Sequence, residues 1–177
     1  RAGAEEMMKA RGILDVLIPR GGAGLIRSVV ESSSVPVIET GVGNCHIYIE
    51  KSAHADMAVK IVFNAKTSRP SVCNAAESLL IDEAAAQTLL PAIAAELVKK
   101  NVEIRGCAKT REILGAFVKE AADEDYAAEF LDYIISVKVV RGIDEAISHI
   151  TKYGSGHSEA IVTSDCFAAE KFLNEVD

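Results

Sequence analysis

Short apolar runs and amphipathic helical stretches alternate along the sequence, and this alternation limits the fold more than any other feature. Residues 77–81 and 132–140 have the length and apolar content of buried strands. Residues 54–65 and 143–153 are predicted helices, and in the first of them apolar side chains recur at a spacing of three and four. Strands that alternate with helices predict an α/β fold with a largely parallel sheet flanked by helices.

Other stretches carry weaker signals. Residues 15–19 and 35–39 are short apolar runs that we interpret as strands, and the glycine turn 20–24 follows the first. Such a turn either presents backbone N–H groups to a phosphate at a helix N-terminus or simply reverses the chain. Pro91 lies inside a long helical stretch and predicts a kink or a break there. Residues 106–128 show no clear pattern.

Composition excludes several classes of protein. The chain has 177 residues, of which 49% are hydrophobic and 25% charged, which is typical of a globular domain. No apolar run approaches the roughly 20 residues of a membrane span. The net charge of −7 argues against a nucleic-acid partner but leaves small anionic substrates open. The cysteines are far apart and lack zinc-ligand spacing, so we expect reduced thiols, a cytoplasmic protein and no metal.

Cys73 is the strongest candidate for a reactive group. It follows a polar, basic stretch that contains Lys66, Arg69 and the helix-stopping Pro70. A cysteine with a pKa of about 8.5 is only slightly ionised at neutral pH, and nearby cations increase its thiolate fraction. Cys73 is therefore either an activated nucleophile or a buried structural cysteine, which is a common fate of a free thiol.

Four blocks of sequence carry a family resemblance. They are DVLIPRGG at 15–22, GNCHIY at 43–48, NAKTSRPSVCNAAE at 64–77 and YGSGHSEAI at 153–161. In this order they resemble gamma-glutamyl phosphate reductase, also called glutamate-5-semialdehyde dehydrogenase, of the aldehyde dehydrogenase superfamily. The resemblance implies an aldehyde-dehydrogenase-like catalytic domain over most of the chain.

The resemblance also implies a domain organisation. Residues 1–38 would be the end of the NADPH-binding domain, and residues 39–163 the catalytic domain with the nucleophilic cysteine. Residues 164–177 would form a helix that returns toward the cofactor domain. The chain starts at Arg1 without a methionine, so we expect it to be a segment of a longer polypeptide.

The family reaction is the NADPH-dependent reduction of L-glutamate 5-phosphate to L-glutamate 5-semialdehyde and phosphate, the second step of proline biosynthesis from glutamate. Cys73 matches the family's nucleophile and would form a thioester. The Cys73 backbone N–H would be one oxyanion donor. An asparagine expected upstream of Arg1 would supply another, so the isolated segment is expected to be inactive. The resemblance further implies a homo-oligomer in the full-length protein and an association with glutamate 5-kinase.

Residues near the substrate follow from the same resemblance. Arg69 and Lys66 are the cations nearest to Cys73 in sequence, and they would bind the substrate's carboxylate or phosphate. Glu39 stands in the sequence ETGVG, which resembles the superfamily's glutamate-containing ELGG motif. We expect Glu39 to be an active-site neighbour, or else a carboxylate that caps the following glycine turn.

Cofactor contacts are expected from two further stretches. Glu129 lies in EFLDY, which resembles the superfamily's EIFGP, where the glutamate binds the nicotinamide ribose; Asp132 and Tyr133 replace the glycine and proline. The turn Arg20, Gly21 and Gly22 would face the cofactor.

Three alternatives remain open at this stage. Cys73 with His46 or His157 could form the dyad of a thiol hydrolase or acyltransferase. The chain could be a non-catalytic part of a larger assembly. It could also belong to a bifunctional synthase in which the same reductase follows a glutamate kinase.

Overall fold

The computed structural model of the chain describes residues 2–39 and 41–177, so Arg1 and Thr40 lie outside the described residues. The chain divides into two compact units, Arg1–Val42 and Gly43–Asp177. The predicted boundary between residues 38 and 39 stays a prediction.

The first unit contains helix α1 (Ala2–Met8) and helix α2 (Ala23–Ser32). A hydrogen bond from the Ser34 backbone N–H to the Met8 carbonyl, 2.9 Å long, joins the end of α1 to the chain after α2. The Ser33 hydroxyl donates to the same carbonyl at 3.1 Å. Ser33 and Ser34 therefore supply hydrogen-bond donors to a carbonyl at the C-terminus of α1 that has no partner within the helix.

The two strands predicted at 15–19 and 35–39 are wrong as strands. The described residues contain a single parallel bridge there, between Leu17 and Val37. The Leu17 N–H donates to the Pro36 carbonyl at 2.8 Å, and the Ile38 N–H donates to the Leu17 carbonyl at 2.9 Å. Proline has no N–H to donate, so Pro19 and Pro36 hinder a longer ladder.

The second unit is built on a six-stranded sheet with the order β4-β3-β5-β2-β1-β6. Every neighbouring pair of strands is parallel, which confirms the predicted α/β fold. The strands are β1 (Cys45–Ile49), β2 (Ala76–Asp82), β3 (Glu103–Gly106), β4 (Lys119–Glu120), β5 (Ile134–Val140) and β6 (Glu159–Val162). The helices are α3 (Ala55–Thr67), α4 (Glu83–Val98), α5 (Ala108–Leu114), α6 (Asp123–Tyr126), α7 (Ile143–Tyr153) and α8 (Cys166–Glu175).

Both faces of the central strands are buried. Alternate side chains of a strand point to opposite faces, so β1 contributes to two separate apolar clusters. Ile47 and Ile49 pack in the larger cluster with residues of α3 and α4. Tyr48 packs in the smaller one with residues of α7 and with Phe172 of α8. The continuous burial of β1 and β2 is what a parallel sheet covered on both sides requires.

The helices differ from expectation in two places. Pro91 lies inside α4 without interrupting it, so the predicted break is absent. Pro91 is exposed, while Leu90 and Ile93 on the same helix are buried in the larger core, so apolar packing offsets the lost hydrogen bond. Residues 106–128, which show no sequence pattern, contain α5, β4 and α6. Among the described residues, no helix has the length and apolar character that crossing a membrane requires.

The parallel topology brings four loops to one edge of the sheet. Strands β5, β2, β1 and β6 are consecutive neighbours and run in the same direction. The segments that precede them therefore meet at the amino-terminal edge of these strands. These segments are residues 43–44, 68–75, 127–133 and 154–158.

Candidate active site

Cys73 lies at the centre of a tight turn between α3 and β2. The Ala75 N–H donates to the Val72 carbonyl at 3.0 Å, which leaves Cys73 and Asn74 as the central residues of the turn. Cys73 is an exposed free thiol, so the alternative of a buried structural cysteine is wrong. Within residues 2–39 and 41–177, neither its Sγ nor its backbone N–H has a hydrogen-bond partner. Both groups are therefore available to a ligand.

The start of β1 supports this turn from below. A Cβ atom added to Gly43 would lie 1.7 Å from the Cys73 carbonyl oxygen, so only glycine allows the two backbones to approach this closely. The Cys45 thiol donates to the same carbonyl with a distance of 3.3 Å from Sγ to oxygen. Burial, and then the charge of Glu159, raises the pKa of Cys45 to about 12. Cys45 therefore remains a protonated thiol that can donate.

Lys66 and Glu77 form a buried ion pair at the base of the turn. The Lys66 Nζ lies 2.5 Å from Glu77 Oε2, and the two side chains are 0% and 1% exposed. This contact directs the ammonium group into the protein. The substrate-binding role of Lys66 stays a prediction, and its burial favours a supporting role.

Arg69 has the opposite environment from Lys66. It is exposed, and its guanidinium forms no ion pair within the described residues. Its backbone carbonyl accepts a hydrogen bond from the Val72 N–H at 3.4 Å, so its main chain closes the turn that leads into the Cys73 turn. Of the two predicted substrate-binding cations, Arg69 is the one that the fold leaves accessible.

Glu129 and Leu131 join the 127–133 segment to this site. Glu129 Oε1 accepts a hydrogen bond from the Gly43 N–H at 2.8 Å. The Leu131 N–H donates to Glu77 Oε1 at 3.0 Å. The cofactor-binding role of Glu129 stays a prediction, and the structure assigns one of its carboxylate oxygens to the chain just before β1.

The candidate histidines contact groups other than the Cys73 thiol. His46 is buried, and its Nδ1 lies 3.2 Å from Glu159 Oε2. His157 is exposed, and its Nδ1 lies 3.8 Å from the Cys45 Sγ. In the part of the chain that the structure describes, no hydrogen bond joins Cys73 to either ring. The geometry therefore gives a thiol hydrolase dyad no support.

The remaining predicted site residues belong to the first unit. Arg20, Gly21, Gly22 and Glu39 are all exposed, and Thr40, which follows Glu39, lies outside the described residues. Gly22 is the N-cap of α2 and forms no side-chain cap. Their roles stay predictions. Within residues 2–39 and 41–177, no group of three or more His, Cys, Asp or Glu residues could hold a metal ion.

Sequence reasoning missed the layer beneath Cys73. Gly43, Cys45 and Glu77 support the turn, although none was selected as a site residue. A signal for Glu77 was present, because a carboxylate at the start of an apolar strand requires a partner when it is buried. The matching signal was Lys66 at the end of a helix with an apolar face.

Comparisons with known proteins add an independent line of evidence. No model of a protein family matches the chain. Gamma-glutamyl phosphate reductase of Carboxydothermus hydrogenoformans is 59% identical over 177 residues, which is 100% of this chain and 42% of that protein. The crystal structure of gamma-glutamyl phosphate reductase from Thermotoga maritima has a TM-score of 0.96 at 51% identity, and the match covers 100% of this chain and 42% of that one.

A more distant structure agrees in fold alone. An acetylating aldehyde dehydrogenase from Geobacillus thermoglucosidasius is 23% identical with a TM-score of 0.70, over 97% of this chain and 46% of that one. The chain spans 42% of the length of the curated reductase that it matches. The resemblance is therefore confirmed: over its whole length, the chain is similar to a segment of gamma-glutamyl phosphate reductases.

Proposed function

We propose a function for the full-length protein that contains these 177 residues (the full chain). It reduces L-glutamate 5-phosphate to L-glutamate 5-semialdehyde and inorganic phosphate with NADPH, as in the second step of proline biosynthesis. One observation carries this proposal. Cys73 is an exposed free thiol on a tight turn, inside a segment that is 59% identical to a gamma-glutamyl phosphate reductase. Since the segment spans 42% of that relative, the activity is proposed for the full chain and not for residues 1–177 alone.

In the first step, the Cys73 thiolate attacks the acyl carbon of the substrate. A carbon–sulfur bond forms, the bond from the acyl carbon to the phosphate oxygen breaks, and phosphate leaves with the electron pair. The Cys73 backbone N–H has no other partner among the described residues and can donate to the developing oxyanion. One such donor typically contributes about 3–4 kcal/mol to the transition state.

Substrate recognition is assigned to Arg69. Its exposed guanidinium can bind a carboxylate or a phosphate with two parallel hydrogen bonds. Its backbone carbonyl is hydrogen-bonded to Val72, the first residue of the Cys73 turn, so we expect a substrate anion held there to lie near the thiol. Glu39 is proposed as an active-site neighbour that does not activate water, because hydrolysis of the thioester would discard the activated acid.

NADPH, when bound, supplies the hydride that reduces the thioester. The N-terminus of α2 fits a phosphate-bearing cofactor, because Gly22 leaves its backbone N–H groups without a side-chain cap and Arg20 is exposed. Gly21 and Glu129 are the other two residues that we propose as cofactor contacts. After reduction, the carbon–sulfur bond to Cys73 breaks, the aldehyde leaves and the thiolate is regenerated.

The domain roles follow from this function. We propose that residues 1–38 end the cofactor domain, residues 39–163 form the catalytic domain and residues 164–177 return toward the cofactor domain. A homo-oligomer, an association with glutamate 5-kinase and a cytoplasmic location are the corresponding proposals for the full-length protein. They rest on the similarity to the reductases.

Phosphate dependence tests the reaction class. The full chain is given glutamate 5-semialdehyde and NADP⁺, and NADPH formation is followed with and without inorganic phosphate. We expect reduction of NADP⁺ only with phosphate, because phosphate must release the thioester in this direction. Reduction without phosphate would indicate a hydrolysing dehydrogenase, and thioester hydrolysis without any nucleotide would indicate a thiol hydrolase.

A further inference from the structure

Lys66 and Glu77 lie at the two ends of the segment that carries Cys73. Lys66 belongs to the last turn of α3, and Glu77 lies near the start of β2. The distance of 2.5 Å between Nζ and Oε2 joins the end of the helix to the start of the strand. The ion pair therefore closes the Cys73 segment at its base.

Stability alone does not explain a buried ion pair. Removing two charges from water costs free energy that their attraction only partly returns, and well-packed apolar pairs are often as stable or more so. Burial lowers the pKa of Lys66 and raises the pKa of Glu77, while the contact between them opposes both shifts. The location of the pair beside the reactive turn indicates a geometric role.

The second oxygen of Glu77 extends this geometry. Glu77 Oε1 accepts the Leu131 N–H at 3.0 Å, and Leu131 has a φ of 55°. A left-handed backbone is uncommon for a leucine, so the conformation needs support from its surroundings. Glu77 thus fixes both the base of the Cys73 segment and the 127–133 segment.

The 127–133 segment leads back to Cys73. Glu129 in this segment accepts the Gly43 N–H at 2.8 Å. Gly43 in turn packs against the Cys73 carbonyl so closely that an added Cβ would lie 1.7 Å from its oxygen. These contacts form a chain that starts at Lys66 and Glu77 and ends at the Cys73 backbone carbonyl.

We propose that the buried Lys66–Glu77 ion pair positions Cys73 for attack on the substrate. Neither residue touches the substrate, so both are positioning residues. This inference rests on the proposed function. For Lys66 it is an alternative to the expected contact with the substrate, and it acts through the shape of the turn.

The test uses the full chain with the double variant Lys66→Met/Glu77→Met, which replaces two charges by apolar side chains of similar length. Lys109→Met is the matched control, because Lys109 forms a 2.6 Å ion pair with Glu83 whose side chains are 49% and 53% exposed. Three quantities are measured: kcat and the KM for NADP⁺ in phosphate-linked NADP⁺ reduction, and the rate of Cys73 alkylation by iodoacetamide. Exposed Cys166 provides the internal reference rate.

We expect the double variant to fold and to lose about 10- to 100-fold in kcat, since a displacement of about 1 Å has this effect on a positioned nucleophile. The KM for NADP⁺ should stay unchanged, and the ratio of Cys73 to Cys166 alkylation should change by about threefold or more. Lys109→Met should change none of these quantities. A folded double variant with wild-type kcat and a wild-type alkylation ratio would overturn the proposal.

A conservative variant covers the case in which the double variant does not fold. Glu77→Gln keeps the shape of the side chain and is expected to lower kcat and shift the alkylation ratio in the same direction. Wild-type values of both would overturn the proposal. If the wild-type chain shows no phosphate-linked activity, the proposed function fails, and the alkylation ratio alone then decides whether the pair positions Cys73.

Discussion

The tip of the Cys73 turn and the layer beneath it contain similar residue types in opposite environments. At the tip, the Cys73 thiol is exposed, as is the Arg69 guanidinium of the preceding turn, and neither has a hydrogen-bonding or ion-pair partner in the described part of the chain. Beneath it, the Cys45 thiol and the Lys66 ammonium are buried against other protein groups. A thiol and a cation are therefore accessible to a ligand in one layer and contact other protein groups in the other.

The largest expected effect is at the tip. Cys73→Ser in the full chain should lower phosphate-linked turnover by more than about 10³-fold, because a hydroxyl is a far weaker nucleophile than a thiolate. Steady-state assay measures turnover, and circular dichroism checks the fold. Cys166→Ser is the matched control, since Cys166 is also exposed and free. Substantial activity in Cys73→Ser would remove Cys73 from the mechanism.

The next effect concerns the contact between the two layers. Gly43→Ala would introduce a Cβ that meets the Cys73 carbonyl oxygen at 1.7 Å, so the turn must move. We expect turnover to fall by about 100-fold, the cost of a displacement of about 1 Å at a reacting group. For Gly41→Ala, nothing among the described residues lies within 4 Å of the added atom, and turnover should be retained. Equal turnover in the two variants would show that the close approach is unimportant.

A smaller effect is expected for the exposed cation. Arg69→Ala should raise the KM for the substrate by about tenfold or more, because a charge-assisted hydrogen bond contributes about 1.5–3 kcal/mol. The KM for the cofactor should not change. Arg141→Ala provides the control, since Arg141 is 78% exposed and pairs only with Glu145 in the described residues. Parallel rises in both Michaelis constants would mean that Arg69 acts through the structure of the turn.

The smallest effect at neutral pH belongs to a buried group, His149. Burial, then the charges of Lys138, His46 and Lys152, lowers the pKa of His149 to about 3, while Glu145 acts in the opposite direction. The unfolded chain would bind this proton near pH 6.5, so the folded state loses stability as the pH falls from about 6.5 to about 3. Above about pH 6.5, His149 is neutral in both the folded and the unfolded chain and does not change the free energy of unfolding. Each pKa unit corresponds to at most about 1.4 kcal/mol.

Thermal unfolding as a function of pH measures this effect. His149→Phe should flatten the loss of stability between pH 6.5 and pH 3. His157→Gln, at an exposed position, should lose stability with falling pH as steeply as the wild type. A slope that His149→Phe does not change would assign the acid sensitivity to other groups.

Much of the second unit could be predicted from sequence, because its elements combine clear apolar periodicity with clear ends. The helix predicted at 143–153 is α7, and residues 77–81 lie within β2. The strands predicted at 15–19 and 35–39 are reduced to one bridge, since apolar runs interrupted by proline do not sustain a ladder. Residues 106–128 form three short elements, and short elements carry little periodic signal.

The position of the candidate site could be predicted from the sequence, but the burial of its side chains could not. Lys66 and Arg69 are both close to Cys73 in sequence, but the fold buries Lys66 and exposes Arg69. The burial of Lys66 depends on its partner in space, Glu77. The sequence alone does not show that the two side chains meet. Gly43 and Cys45 could not be predicted as site residues either, because both contact the Cys73 carbonyl only in the folded chain.

The most direct measurement looks for the acyl group on the enzyme. The full chain is incubated with L-glutamate 5-phosphate in the absence of NADPH, quenched in acid and mapped by peptide mass spectrometry. We expect a glutamyl thioester on the peptide that contains Cys73, lost on addition of NADPH and absent from Cys73→Ser. No acyl adduct, or one on Cys45 or Cys166 instead, would contradict a mechanism in which Cys73 is the nucleophile.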